Sequence, residues 1–313
     1  MTIADADRLK REILLRSMFP SMPAAAHARF IELLEDVEVE AGQTLFDIGD
    51  PSDRLLFLIE GRVVLQREGF RSWEFVPIAV VGVIDVVLGR ARTRSCRALE
   101  RSRMLSIRAS DWFDMLEDNG QIARAAIRNF ATQLHISWRT LAPRVRRSSE
   151  PPPGPVPPAL ETYDKILALR RAPFLRLAGM QAIASLAKVA EAVQLEQGQL
   201  LFDVGTQEEQ WYVVARGAVE LRAGDEFRLH HAGGDLVGGA AALSRALGGY
   251  SARAETDAVV LSISEQDFYD QAEEHPGLAR GTLEYLVSEL EPILDLEDPT
   301  ERRPAAGPIT QGA

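Results

Sequence analysis

Gly42-Gln43-Thr44-Leu45-Phe46-Asp47-Ile48-Gly49 returns 156 residues later as Gly198-Gln199-Leu200-Leu201-Phe202-Asp203-Val204-Gly205. The same offset runs without a gap as far as Arg124 and Arg280. On the way it pairs Gly61 with Gly217, Val63 with Val219, Gly82 with Gly238, Arg97 with Arg253 and Asp111 with Asp267. A unit this long exceeds the roughly 20–50 residues of solenoid repeats and marks a duplicated domain. Each site therefore exists twice, and the copies can be compared.

The chain has 313 residues, of which 46% are hydrophobic. That is enough for two cores of roughly 100–150 residues each. Cys96 is the single cysteine, so no intrachain disulfide forms, in keeping with a reducing compartment. The first residues, Met1 to Asp7, carry acids where a secretory signal would carry bases. No apolar run approaches the roughly 18–20 residues that span a bilayer. The expectation is a soluble cytoplasmic protein without membrane contact. A formal net charge of −11 repels polyanions, so direct nucleic-acid binding is not expected.

Ser148 to Pro158 contains Pro151, Pro152, Pro153, Pro155, Pro157 and Pro158. Residues 146–162 are read as a semi-rigid, proline-rich linker. The units on either side are 12–145 and 163–296, and 297–313 is read as a disordered tail. Ala24–Leu34 and Met180–Ala192 suit helices. Short runs rich in Val, Leu, Ile and Phe follow: Thr44–Asp47, Leu55–Ile59, Val63–Gln66, Trp73–Val76, Thr93–Ala98 and Met104–Ile107. Such spacing predicts a small sandwich or barrel. Helical periodicity resumes at Ser110, with Ile122, Ala126, Phe130 and Leu134 on one stripe, echoed by Leu283, Val287, Leu290 and Leu294. Ser264 before Asp267 reads as a helix N-cap.

The array Ala41-Gly42…Gly49-Asp50…Leu55…Ile59-Glu60-Gly61-Arg62-Val63, with a later glycine, helix and arginine segment, resembles the cyclic nucleotide-binding domain family. The resemblance covers both units. It implies an α+β fold of two tandem β-barrel (jelly-roll) domains flanked by helices, and a regulatory, signalling role without catalysis. In this family the ligand sits in a cassette running Gly-Glu, a short helical turn, then Arg-Ala-Ala-Thr or Ser. Backbone N–H groups and the arginine meet the cyclic phosphate, and the glutamate holds the ribose hydroxyl.

The first copy reads Gly82-Val83-Ile84-Asp85-Val86-Val87-Leu88-Gly89-Arg90-Ala91-Arg92-Thr93-Arg94-Ser95. By the resemblance Gly82, Val83, Arg92, Thr93 and Ser95 form the ligand site. Val83 stands where the glutamate would be and cannot accept a ribose hydroxyl, and Asp85 is expected to point elsewhere. Arg90, Arg92 and Arg94 alternate, which on a strand puts all three on one face. They make either an anion site or one inherited arginine beside two solvated ones. In the second copy Gly239 stands for the glutamate and Gly248 for the arginine, so Gly238, Gly239, Gly248 and Ser251 mark a degenerate pocket. Arg245 lies three residues early.

No metal site is expected, since His230 and His231 are adjacent on a strand and no cysteine or carboxylate cluster supports them. No nucleophile and base arrangement or phosphate loop is present. Ser149 after Arg146-Arg147 resembles a kinase target, although the run is better read as a solvated helix end. Two readings stay open. In one, the first unit binds a phosphate-bearing messenger such as a cyclic nucleotide, with no cofactor. In the other, both pockets are vestigial and the chain docks a protein partner or self-associates. A transcription regulator is a third class, disfavoured because too few residues follow Leu296 for a helix-turn-helix.

Overall fold

The computed structural model describes residues 24–141 and 160–295, except 208, 225 and 226. Most of the linker, Ser149 and the tail 297–313 therefore lie outside the described residues. The chain divides into two compact units, residues 1–125 with 294–313, and residues 126–293. The first of these divisions falls after Ala125, inside a helix.

In the first unit α1 (Ala24–Glu32) leads into β1 (Glu35–Val39), β2 (Thr44–Phe46), β3 (Arg54–Glu60), β4 (Val63–Gln66), β5 (Trp73–Phe75) and β6 (Ala79–Val81). Then come α2 (Val83–Val87), β7 (Ser95–Ala98), β8 (Ser102–Arg108), α3 (Ala109–Asp118) and α4 (Gly120–Leu141), of which the residues from Ala126 onward belong to the second unit. The strands form two antiparallel sheets, ordered β1-β8-β3-β6 and β2-β7-β4-β5. Their inward residues, among them Val39, Phe46, Leu58, Val63, Met104 and Cys96, make one core. Leu294, which belongs to this unit, packs against it.

The second unit repeats the plan. Helix α5 (Thr162–Leu169), a 3₁₀ turn (Pro173–Leu175) and α6 (Met180–Val189) precede β9 (Glu191–Leu195), β10 (Leu200–Phe202), β11 (Gln210–Arg216), β12 (Val219–Ala223), β13 (Phe227–His231) and β14 (Leu236–Val237). Next are α7 (Gly239–Ser244), β15 (Ser251–Ala254), β16 (Ala258–Ser264), α8 (Glu265–Glu274) and α9 (Pro276–Leu294). The sheets run β9-β16-β11-β14 and β10-β15-β12-β13, the first unit's order strand for strand. Ser264 caps α8 by accepting the Asp267 N–H at 3.0 Å. Leu283, Val287 and Leu290 are buried, so the stripe read from the sequence is covered within the chain itself. Pro292 lies inside α9 rather than ending it.

The glycine turns explain why two divergent sequences reach one frame. Gly61 and Gly217 have φ of 89° and 72°, in the left-handed region that side chains resist. A Cβ on Gly61 would lie 2.6 Å from the Arg101 carbonyl, and one on Gly217 would run into that of Asp257. Only glycine lets these hairpin corners touch the opposing strand.

Candidate ligand-binding cassettes

In both copies a left-handed glycine starts the cassette helix. Gly82 (φ 74°) precedes α2 and Gly238 (φ 82°) precedes α7. The far end of each cassette is pinned the same way. The Gly49 N–H donates to the Arg92 carbonyl and the Arg92 N–H to the Asp50 carbonyl, both at 2.9 Å. In the second copy Gly205 N–H donates to Gly248 and Gly248 N–H to Thr206, again at 2.9 Å. The backbone frame survives where the side chain at its centre has changed from arginine to glycine.

Arg92 is 3% exposed. Its Nη1 donates to the Gly82 carbonyl at 2.7 Å and its Nη2 to the Arg54 carbonyl at 2.6 Å. Its guanidinium lies over the Phe46 ring at 4.3 Å. Burial pushes its pKa below the ordinary arginine value, against the pull of the Asp85 and Asp53 carboxylates. Each terminal nitrogen of the family-register arginine thus gives one bond to the protein's own backbone, while Nε has no hydrogen-bond partner among the described residues.

The other residues singled out by sequence are close by, with varied roles. Val83 opens α2, half-buried, and offers no acceptor. Ser95 donates its hydroxyl to the Gln66 carbonyl at 3.4 Å, as Ser251 does to Arg222, so both hydroxyls face the neighbouring strand. Thr93 donates its backbone N–H to Asp85 Oδ2 at 3.1 Å and its hydroxyl to Asp85 Oδ1 at 2.9 Å. Arg90 Nε adds a bond to Oδ1 at 2.8 Å. Asp85 is 4% exposed. Sequence reading had set it aside, yet it gathers more of the cassette than any other side chain.

The alternating arginines do not share one face, because β7 begins only at Ser95 and the backbone before it is irregular. Arg90 meets Asp85 and Arg92 turns to carbonyls. Arg94 stacks on Trp73 at 3.8 Å, donates to the Arg71 carbonyl at 2.8 Å and pairs with Asp295 of the same unit.

In the second copy Gly239 cannot readily become a glutamate, because a Cβ there would run into Leu236. Arg245 does not enter the pocket but meets Glu265. A cavity of 470 Å³ opens beside this cassette, lined in part by Gly238, Tyr250, Asp235, Glu289 and the histidines His135, His230 and His231, with no lysine or arginine among its lining residues. Among the described residues no cluster of His, Cys, Asp or Glu suits a metal ion, and no helix is long and apolar enough to cross a membrane.

The model of the cyclic nucleotide-binding domain matches residues 36–119 and 192–275, once in each unit. The chain belongs to this family. Among curated family relatives, an uncharacterised NTE family protein of Mycobacterium tuberculosis (strain ATCC 25618 / H37Rv) is 32% identical over 110 residues, 35% of this chain and 19% of the relative. A CRP-like cAMP-activated global transcriptional regulator of the same strain is 26% identical over 137 residues, 42% of this chain and 61% of the regulator. The chain therefore spans only part of either relative. Among solved structures, the regulatory domain of Toxoplasma gondii PKA with cAMP aligns over 92% of this chain and 97% of its own, at 14% identity and a TM-score of 0.34. The two matches of the family model establish tandem cyclic nucleotide-binding domains, each an α+β jelly roll of two antiparallel sheets with flanking helices.

Proposed function

We propose that this is a non-enzymatic, cytoplasmic regulatory protein whose first cyclic nucleotide-binding domain works without a cyclic nucleotide, as a docking module for a protein partner. The commitment of Arg92 to the Gly82 and Arg54 carbonyls carries the reading. A phosphate reaching this buried guanidinium would compete with two short bonds that already hold it to the backbone. Val83 then leaves the ribose hydroxyl without an acceptor, a loss of about 1–3 kcal/mol. The named activity of the CRP-like relative, activation by cAMP, is accordingly not carried over to this domain.

A second reading concerns the second domain, where the 470 Å³ cavity favours a small-molecule sensor. The cavity's wall sets Asp235 and Glu289 beside His135, His230 and His231 and holds neither lysine nor arginine. It therefore lacks the guanidinium with which the family meets a phosphate and suits a polar ligand that bonds to imidazole and carboxylate groups.

Calorimetric titration of the whole chain with cAMP and cGMP, up to about 1 mM, tests the proposal. No saturable heat is expected. Micromolar binding that disappears in Arg92→Ala would overturn it.

A further inference from the structure

We infer that Asp85 is the built-in occupant of an oxyanion site, so that the first domain's cassette is held in an anion-filled state by its own chain. The argument starts from the donors. A backbone N–H, a hydroxyl and a guanidinium nitrogen converge within 2.8–3.1 Å on one carboxylate. This is the set of groups that recognises a free oxyanion, and charge-assisted bonds of this kind are the strong ones. The carboxylate is almost wholly buried, where an anion persists only when donors replace its water.

The second copy supplies an independent comparison. At the same offset Asp85 becomes Ala241, Arg90 becomes Ala246 and Thr93 becomes Gly249. All three members of the cluster are present together in one domain and missing together in the other. The backbone pins at the far end of the cassette are common to both. Three residues dispensable to the frame but linked to one another make a unit with its own purpose. Arg90 reaches Asp85 over five positions and Thr93 over eight, so the cluster also draws the far end of the cassette back onto α2.

The inference deepens the proposed messenger independence and rests on it, because a filled anion site has no vacancy for a phosphate. Its test is separate. In Asp85→Ala the carboxylate is removed and only the β-carbon remains, leaving Thr93 and Arg90 around a small void. Thermal unfolding is followed in sodium acetate and sodium phosphate, against sodium chloride at matched ionic strength. In chloride the variant should melt roughly 5 °C or more below the natural protein. Acetate or phosphate should restore at least half of that loss with saturable dependence, and have no such effect on the natural protein.

Should the variant fail to fold in chloride, folding in acetate or phosphate upholds the inference, and failure in every anion overturns it. An equal response of variant and natural protein also overturns it. Thr93→Val in the Asp85→Ala background must weaken the anion's rescue at least threefold, and an unchanged rescue defeats the assignment of this site. A failed rescue leaves the nucleotide titration of the natural protein to stand or fall alone.

Discussion

Arg245 ends the second cassette helix by turning its guanidinium onto Glu265, Nε to Oε2 at 2.9 Å. The other oxygen of the same carboxylate takes Arg128 Nη2 at 2.8 Å. Glu265 is nearly buried whereas the side chains of Arg128 and Arg245 are 31% and 55% exposed. Each arginine alone is worth about 0–1 kcal/mol. They share one carboxylate, so removing both should cost about 1–3 kcal/mol more than the sum. A urea-unfolding cycle of Arg128→Ala, Arg245→Ala and the double variant measures this, and simple additivity would refute it.

Glycine replacements should separate conformational strain from collision. Gly49 has φ of 92° but open space where a Cβ would go, whereas Gly61 has φ of 89° and meets the opposing strand. Gly49→Ala should cost about 1–2 kcal/mol. Gly61→Ala should add roughly 1–3 kcal/mol of overpacking. Equal losses in chemical denaturation would show that the opposing strand yields.

The Cys96 thiol is sealed in the first core, and burial pushes its pKa up from 9.0 to about 12. The native protein should resist alkylation by iodoacetamide at pH 8 or thereabouts, since the thiolate is the reactive form. The raised pKa contributes stability that is complete below pH 9.0 and is lost as pH climbs towards 12. Cys96→Ala should lack that component of the alkaline decline. Identical pH profiles for the two proteins would contradict the linkage.

The α9 stripe answers a question left open by its periodicity. Val287 and Leu290 are buried within the second unit, so Val287→Asp with Leu290→Asp should lower stability by more than about 4 kcal/mol. Molecular mass in solution, followed by light scattering, should not fall as a result. A clean drop in mass with an intact fold would reassign the stripe to self-association.

The fold was largely legible because it rests on signals that side chains cannot disguise. Gly42, Gly49, Gly61 and Gly82 all adopt positive φ, as do Gly198, Gly205, Gly217 and Gly238. Strand β1 was missed because Glu35-Asp36-Val37-Glu38-Val39 reads as a solvated acidic run, with Val39 alone fully buried. Strand β6 was missed because three residues carry too little period.

The cassette was legible in register but not in chemistry. Arg92 was found by position, yet its commitment to carbonyls depends on how near Arg54 and Gly82 are brought by the folded sheets. Asp85 was passed over because its partners lie beyond a left-handed turn at Gly89, which periodicity cannot foresee. One signal was present and unused: Asp85, Arg90 and Thr93 change in concert to Ala241, Ala246 and Gly249.

The gap-free offset between the copies has a further consequence. Gly82–Ser95 and Gly238–Ser251 are equal in length and begin on the same backbone conformation. Each domain is in effect a socket, and the cassettes are inserts of one gauge. An insert can drift or be transplanted without disturbing the frame around it, and the sibling socket keeps a folded chain in service meanwhile. Duplication here supplies room for experiment: one insert carries the bonded trio Asp85, Arg90 and Thr93, and the other has Ala241, Ala246 and Gly249 in their places.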